Sequence, residues 1–283
     1  MRVAVTGAAG FTGRYLVTAL EARGHQAVAV DADITDAAAL ADEMAALSPD
    51  AVVHLAALAF VHSDDYAGFY AVNQVGAFNL VRAAARARPG CTVLLASSAQ
   101  VYGAGASGLV AEDHPLAPAN HYALSKWAME LGAPLVADGL RLIVARPFNY
   151  TGRGQEDRYL IPKIVDHVRR RAPVIELGNI DVRRDVGDVR AVVDAYLRLL
   201  EAPDARGTFN IATGQARSVR EIVELAQALG GHRMEIAVNP AFVRAGDVPL
   251  LVGDSSRLLA QAPGWRPRDV EDTLGWMLAE DTA

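Results

Sequence analysis

Short apolar runs recur along the first half of the chain, at residues 3–5, 27–30, 51–55, 92–96 and 142–145. They are rich in Val, Leu and Ile and lack strict in/out alternation, which is the pattern of strands buried on both faces. Between them the apolar positions take helical spacing. The segment 13–23 runs up to Gly24, a residue suited to a left-handed helix end. A second helix is expected over 36–47, stopping before Ser48-Pro49. A third, over 69–88, carries Arg86 and Arg88 in its last turn and stops at Pro89-Gly90. A fourth, over 120–138, opens at Asn120, a suitable N-cap. Strands and helices alternating in this way build a parallel sheet with helices on both faces.

Beyond residue 146 the pattern loosens and Gly and Pro punctuate shorter elements. Helices are expected over 157–171, 188–200, 218–229 and 269–278, and strands over 173–177 and 208–211. Ser218 with Glu221 forms a capping box at the start of the third of these helices. The expected division is a nucleotide-binding domain over 1–150 and a smaller α/β lobe over 151–283, set above the carboxyl ends of the strands. No internal repeat is visible.

Composition narrows the class. At roughly 150 residues per domain, 283 residues make one large domain or two small ones. With 52% hydrophobic and 21% charged residues the chain is globular rather than disordered. Its net charge of −6 disfavours nucleic acid and anionic membranes as partners. The single cysteine, Cys91, excludes an intrachain disulfide and fits a reducing cytoplasm. No basic–apolar–small leader precedes the first strand, and the apolar stretch 51–61, broken by His54, is too short to cross a bilayer. A soluble, cytoplasmic protein is expected. The seven histidines are scattered without metal-ligand spacing, so no metal is expected.

Thr6-Gly7-Ala8-Ala9-Gly10-Phe11-Thr12-Gly13 joins the first strand to the first helix. Gly7 permits the tight turn, Gly10 the approach of a pyrophosphate, and Gly13 the close packing of helix on strand. The helix N-terminus then offers free N–H groups to phosphate. Asp31 ends the second strand, with Asp33 close behind. An acid there accepts from ribose hydroxyls and repels a 2′-phosphate, favouring NAD(H) over NADP(H). Arg14, in the first helix, is the one nearby group that could still attract that phosphate.

Ser97-Ser98 follows the fourth strand, and Tyr122 and Lys126 sit four apart at the start of the next long helix, on one face. A free phenol has a pKa near 10 and is a poor base at neutral pH. A nearby ammonium, together with an oxidised nicotinamide ring, would favour the phenolate. Ser98 would hydrogen-bond the substrate oxygen whose charge changes, and Tyr122 would move its proton.

The glycine loop, His54-Leu55-Ala56-Ala57, Ser98, the Tyr122/Lys126 pair and Arg146-Pro147-Phe148-Asn149 together resemble the extended short-chain dehydrogenase/reductases, over essentially the whole chain. The resemblance implies a Rossmann-type doubly wound parallel sheet with a C-terminal substrate lobe, and action on nucleotide sugars. It selects Ser98 over Ser97 and gives Tyr102 a structural part. To NAD(H) or NADP(H) it assigns Gly7, Ala9, Gly10, Phe11, Thr12, Gly13, Asp31, Asp33, Ile34, Leu55, Ala56, Ala57, Asn73, Tyr122, Lys126 and Pro147. Asn73 would support the helix beside the cofactor. To substrate it assigns Ser98, Gln100, Asn149, Gly178, Arg184 and Arg244, the two arginines gripping a diphosphate, with Arg183 able to replace Arg184. It also implies a homodimer paired through the helices 69–88 and 120–138.

Three stretches, 146–155, 178–199 and 244–258, look like those of reductases acting on GDP-4-keto-6-deoxy-D-mannose. The product would be GDP-D-rhamnose or its 6-deoxytalose epimer. Dehydration is disfavoured, because Ala99 and Gln100 stand where the dehydratases carry acids. The alternative is an NAD-dependent 4-epimerase, which needs the same Ser98, Tyr122 and Lys126. A cofactor-sensing binding protein without catalysis is a third reading, opposed by that intact trio. Glu112 and Asp113 read as solvated loop acids, Arg169 to Arg171 as a solvated helix end, and Trp127, Trp265 and Trp276 as packing residues.

Overall fold

The apolar runs become the strands of one parallel sheet in the computed structural model, which describes residues 1–59, 64–243 and 249–279. In chain order the first half contains β1 (Arg2–Thr6), α1 (Phe11–Ala22), β2 (Gln26–Val30), α2 (Ala37–Leu47), β3 (Ala51–His54), α3 (Tyr66–Tyr70), α4 (Ala77–Ala87), β4 (Thr92–Ala96), β5 (Gly108–Val110), α5 (His121–Gly132) and β6 (Arg141–Pro147). The second half contains β7 (Asn149–Thr151), α6 (Leu160–Arg169), β8 (Val174–Leu177), β9 (Arg183–Asp188), α7 (Val189–Glu201), β10 (Gly207–Ile211), β11 (Ala216–Ser218), α8 (Val219–Gly230), β12 (Glu235–Val238), β13 (Leu250–Gly253), α9 (Ser256–Gln261) and α10 (Val270–Leu278).

The main sheet runs β10-β6-β4-β3-β1-β2. The chain steps from β1 to β2 on one side, then returns to place β3 on the other side of β1. Ligands of such sheets bind beyond the strand ends at this reversal. Val3, Val5, Val53, Leu94 and Ala145 point to one face, under α1 and α7. Ala4, Val52, Val93 and Leu95 point to the other, under α2, α4 and α5. β2 lies at the sheet's edge and is only partly buried, unlike the fully covered strand expected.

The expected helix 69–88 is divided. A π-helical turn, Ala71–Gly76, separates α3 from α4. Such turns widen the helix by one residue and recur at functional sites. Here the turn aims Asn73 into the interior. The helix expected over 120–138 stops being α-helical at Gly132, where the chain tightens into a 3-10 turn containing Pro134.

The lobe centres on Ile175, Leu177, Ile222, Val223 and Leu274, from β8, α8 and α10. A second sheet runs β11-β9-β13-β5, with β7 paired to β9. The division at residue 150 is not a clean one. The apolar face of α7, with Val192, Tyr196 and Leu199, covers the main sheet, and β10 pairs with β6. Both elements come from the second half because they complete the apolar contacts of the first.

Candidate active site

The glycine loop is forced by close contacts. Gly7 has φ +69°, and a Cβ there would stand 2.9 Å from the nitrogen of Ala56. A Cβ on Gly13 would collide with the carbonyl of Gly7. Gly10 is the N-cap of α1 and brings no side-chain cap. The first-turn N–H groups of a helix have no partner within it, so those of Phe11 and Thr12 are left to meet an anion. This cradle fits a pyrophosphate. The Thr12 hydroxyl is itself 2.9 Å from the Tyr150 hydroxyl, and the Phe11 ring stacks on Tyr150. Thr12 therefore faces the cradle with its backbone. Arg14 turns away from the second strand, towards the carbonyls of Ala9 and Gly154. Tyr15 donates to the carbonyl of Arg153. The start of α1 is thus fastened to residues 150–154.

Across the crevice, the Thr6 hydroxyl accepts from the N–H groups of Leu55 and Ala56, at 3.2 Å each. It also bonds Nδ1 of His54 at 2.8 Å. Ala57 continues this segment, half-buried. Asn73, fully buried, lies behind it. Its side chain accepts from Leu58 N at 2.9 Å and donates to Leu58 O and Ser125 Oγ at 3.0 Å each. Asn73 is therefore a strut joining the 55–58 segment to α5. Burial, aided by Lys126, drives His54 down to about 3, so the ring is neutral.

At the end of β2 the Asp31 side chain is exposed. Asp33 is occupied by its own turn: its carboxylate accepts from the N–H and hydroxyl of Thr35, at 2.8 Å each, which holds it below the usual carboxylate range. Ile34 is buried against Gly76. A residue the sequence reading missed also stands here. Glu43 of α2 takes the backbone N–H groups of Asp31 and Ala32.

Ser98, Tyr122 and Lys126 converge beyond the end of β4. The Tyr122 phenol faces the Ser98 side chain. The buried Lys126 ammonium donates to the carbonyl of Ala96 at 2.8 Å. Asn120 caps α5, accepting from Ala123 N at 2.8 Å, and donates to Gln100 Oε1 at 3.1 Å. Gln100 thereby ties the Ser98 turn to the helix carrying Tyr122. Within the chain itself, burial raises the Tyr122 pKa above its ordinary value, Tyr150 adds to this, and the Ser98 side chain opposes it. Burial also brings Lys126 down to about 8. The chain holds a neutral phenol beside an ammonium.

Tyr102 is fully buried, donates to Asn210 Oδ1 at 2.7 Å and accepts from Arg146 at 2.9 Å. Arg146 meets Glu130 through hydrogen bonds of 2.6, 3.0 and 3.2 Å. Glu112 is not a solvated acid: its carboxylate accepts from Asn210 N at 2.8 Å and its carbonyl from Arg146. Its place beside the buried Tyr102 network explains the difference. Arg169 is likewise engaged, donating to the carbonyls of Met277 and Ala279 at the end of α10.

On the substrate side, Pro147 is buried at the end of β6 and Asn149 is exposed at the start of β7. Asn149 borders a small cavity with Gly187, Ala212 and Thr213. Gly178 follows β8 where a Cβ would strike the carbonyl of Phe242. Arg184 stands on β9 between β11 and β13, directly across from Arg217. Arg183 is paired with Glu221 and donates to Ala216 O, and Arg184 donates to the carbonyl of Arg183 at 2.9 Å. Arg244 lies outside the described residues.

Residues 3–212 match the model of the NAD dependent epimerase/dehydratase family. A GDP-6-deoxy-D-talose 4-dehydrogenase from Aggregatibacter actinomycetemcomitans is 36% identical, covering 92% of this chain and 90% of the relative. A GDP-6-deoxy-D-mannose reductase from Pseudomonas aeruginosa is 35% identical, covering 94% and 92%. The structure of RMD from Pseudomonas aeruginosa complexed with NADPH superposes with a TM-score of 0.87 at 34% identity, over 98% of this chain and 97% of that one. The glycine cradle, the parallel sheet with its lobe and the Ser98–Tyr122–Lys126 cluster thus stand in a chain that belongs to the NAD dependent epimerase/dehydratase family.

Proposed function

We propose that this chain reduces the C4 ketone of a nucleotide-linked 4-keto-6-deoxy sugar, with GDP-4-keto-6-deoxy-D-mannose as substrate and GDP-D-rhamnose or its 6-deoxytalose epimer as product. The observation that carries this is the neutral Tyr122 phenol beside Ser98, a serine followed by Ala99 and Gln100, neither of which can ionise. A ketone reductase needs a proton donor at the carbonyl oxygen, and a protonated phenol is one. The two relatives whose names specify GDP-6-deoxy sugars support the substrate class.

Ser98 and Tyr122 hold the carbonyl oxygen of C4 and polarise it. A bound reduced nicotinamide supplies the hydride that C4 accepts. Tyr122 gives its proton to the oxygen, converting the ketone to an alcohol, and Lys126 beside it stabilises the phenolate left behind. Asn149, Gly178, Arg184 and Arg244 would hold the nucleoside diphosphate, the arginines by forked hydrogen bonds. Val75 on the π turn between α3 and α4, Leu131 on α5 and Leu135 in the 3-10 turn after it are exposed apolar residues and support pairing of two copies there. The single cysteine, Cys91, is buried with a free thiol, which fits a reducing cytoplasm as the site of action.

Mixing the protein with GDP-4-keto-6-deoxymannose and NADH or NADPH, and following loss of the reduced nicotinamide, tests the reading. Consumption is expected, with NMR of the product giving its C4 configuration. No consumption with either cofactor rejects it. Interconversion of nucleotide sugars by enzyme carrying bound NAD, without net oxidation, would establish the 4-epimerase instead.

A further inference from the structure

We infer that Glu43 sets the cofactor preference of this chain by occupying, with its own carboxylate, the backbone amides that would otherwise bind a 2′-phosphate. This rests on the dinucleotide reading of the glycine loop. The N–H of Asp31 reaches Glu43 Oε1 at 3.0 Å, and the N–H of the next residue, Ala32, reaches Oε2 at 2.8 Å. Two successive amides converging on one anion make a binding concavity for negative charge. It lies just past the carboxyl end of β2, where doubly wound sheets read the adenosine ribose. A 2′-phosphate arriving there finds the amides filled.

It also finds like charge. Asp31 and Asp33 flank the same turn. No Lys or Arg occurs between Arg23 and Arg82, a span that includes β2, α2 and β3. Arg14, the remaining cation near the glycine loop, is held at Ala9 and Gly154. A ribose bearing free 2′- and 3′-hydroxyls needs acceptors, and the carboxylates of Asp31 and Glu43 are acceptors. Glu43 is thus a specificity residue supplied by α2, outside the loop where such residues are usually sought.

The test uses ADP and 2′,5′-ADP, which carry the discriminating end of the cofactor and no nicotinamide, titrated calorimetrically into the full chain. The wild type is expected to bind ADP at least about tenfold more tightly, equivalent to about 1.4 kcal/mol. Glu43→Gln, which removes the charge, and Glu43→Ala, which frees the amides, should each narrow that ratio about tenfold, by tighter binding of 2′,5′-ADP. Asp31→Asn should narrow it less, since the amides stay filled. An unchanged ratio in both Glu43 variants with unaltered melting temperatures overturns the inference. Equal affinity of the wild type for the two nucleotides overturns it whatever the variants do. Failure to bind ADP at all would instead remove the dinucleotide reading.

Discussion

Thr6 fixes the tautomer of His54. The Thr6 hydroxyl oxygen already accepts two backbone N–H groups, from Leu55 and Ala56, so its single proton goes to Nδ1 of the imidazole. His54 therefore carries its own proton on Nε2. That atom is buried and has no partner among the described residues, and the same holds for the Ser97 hydroxyl, two residues beyond Leu95, His54's pair on β4.

Acid should weaken the fold through this ring. The native imidazole stays neutral down to about 3, whereas the unfolded one titrates near 6.5. Between those values the unfolded chain holds the extra proton, so stability is lost as pH falls, by at most about 1.4 kcal/mol per unit. Denaturant unfolding between pH 7 and pH 5 should show a shallower dependence in His54→Gln. An equal slope in the two proteins would contradict the assignment.

Tyr122→Phe keeps the ring and removes the proton. Turnover is expected to fall by about 10²–10⁴-fold, the range for loss of a general acid. Binding of the reduced cofactor, read by fluorescence, should change little. Near-normal turnover would remove Tyr122 from the chemistry.

Reduction should also fail in base. The reactive form has the phenol protonated and Lys126 charged, and Lys126 titrates at about 8. The expected kcat/KM is level below that value and declines above it. In Lys126→Met the residual activity should lose that inflection. An inflection kept at the same pH in the variant would assign it to another group.

The ion pair of Arg146 with Glu130 is a matter of stability. Both side chains are nearly buried, at 6% and 7% exposure. Glu130→Gln leaves the guanidinium without its countercharge, at a cost of about 3–5 kcal/mol. Urea unfolding of this variant measures it, and a loss below about 1 kcal/mol would place the pair among exposed ones.

Elements buried on both faces were the legible ones. The runs 92–96 and 142–145 lie within β4 and β6 because burial on both sides leaves no polar alternation to confuse them. The short strands β5, β7, β9, β11, β12 and β13 were missed, since three to six residues with charges such as Arg183 and Asp185 carry no apolar period. The same logic divides the site. Gly7, Gly13, Tyr122 and Lys126 are tied together by local spacing, which a sequence displays. Glu43 is tied to Asp31 and Ala32, twelve and eleven residues back, by one hydrogen bond from each backbone N–H, and backbone amides have no letter in the sequence. The π turn at Asn73 was hidden too, because residues 71–76 have ordinary helical composition.

The return of the chain to pair β10 with β6 governs how the protein can be born. During synthesis the edge of β6 stays unpaired, and the sheet face beneath Val192 and Tyr196 stays bare, until residue 211 has left the ribosome. An open edge beside a bare apolar face is the combination that invites association between nascent chains. A fragment cut at residue 150 would keep every glycine of the phosphate loop and still be a frozen moment of assembly, sticky rather than competent.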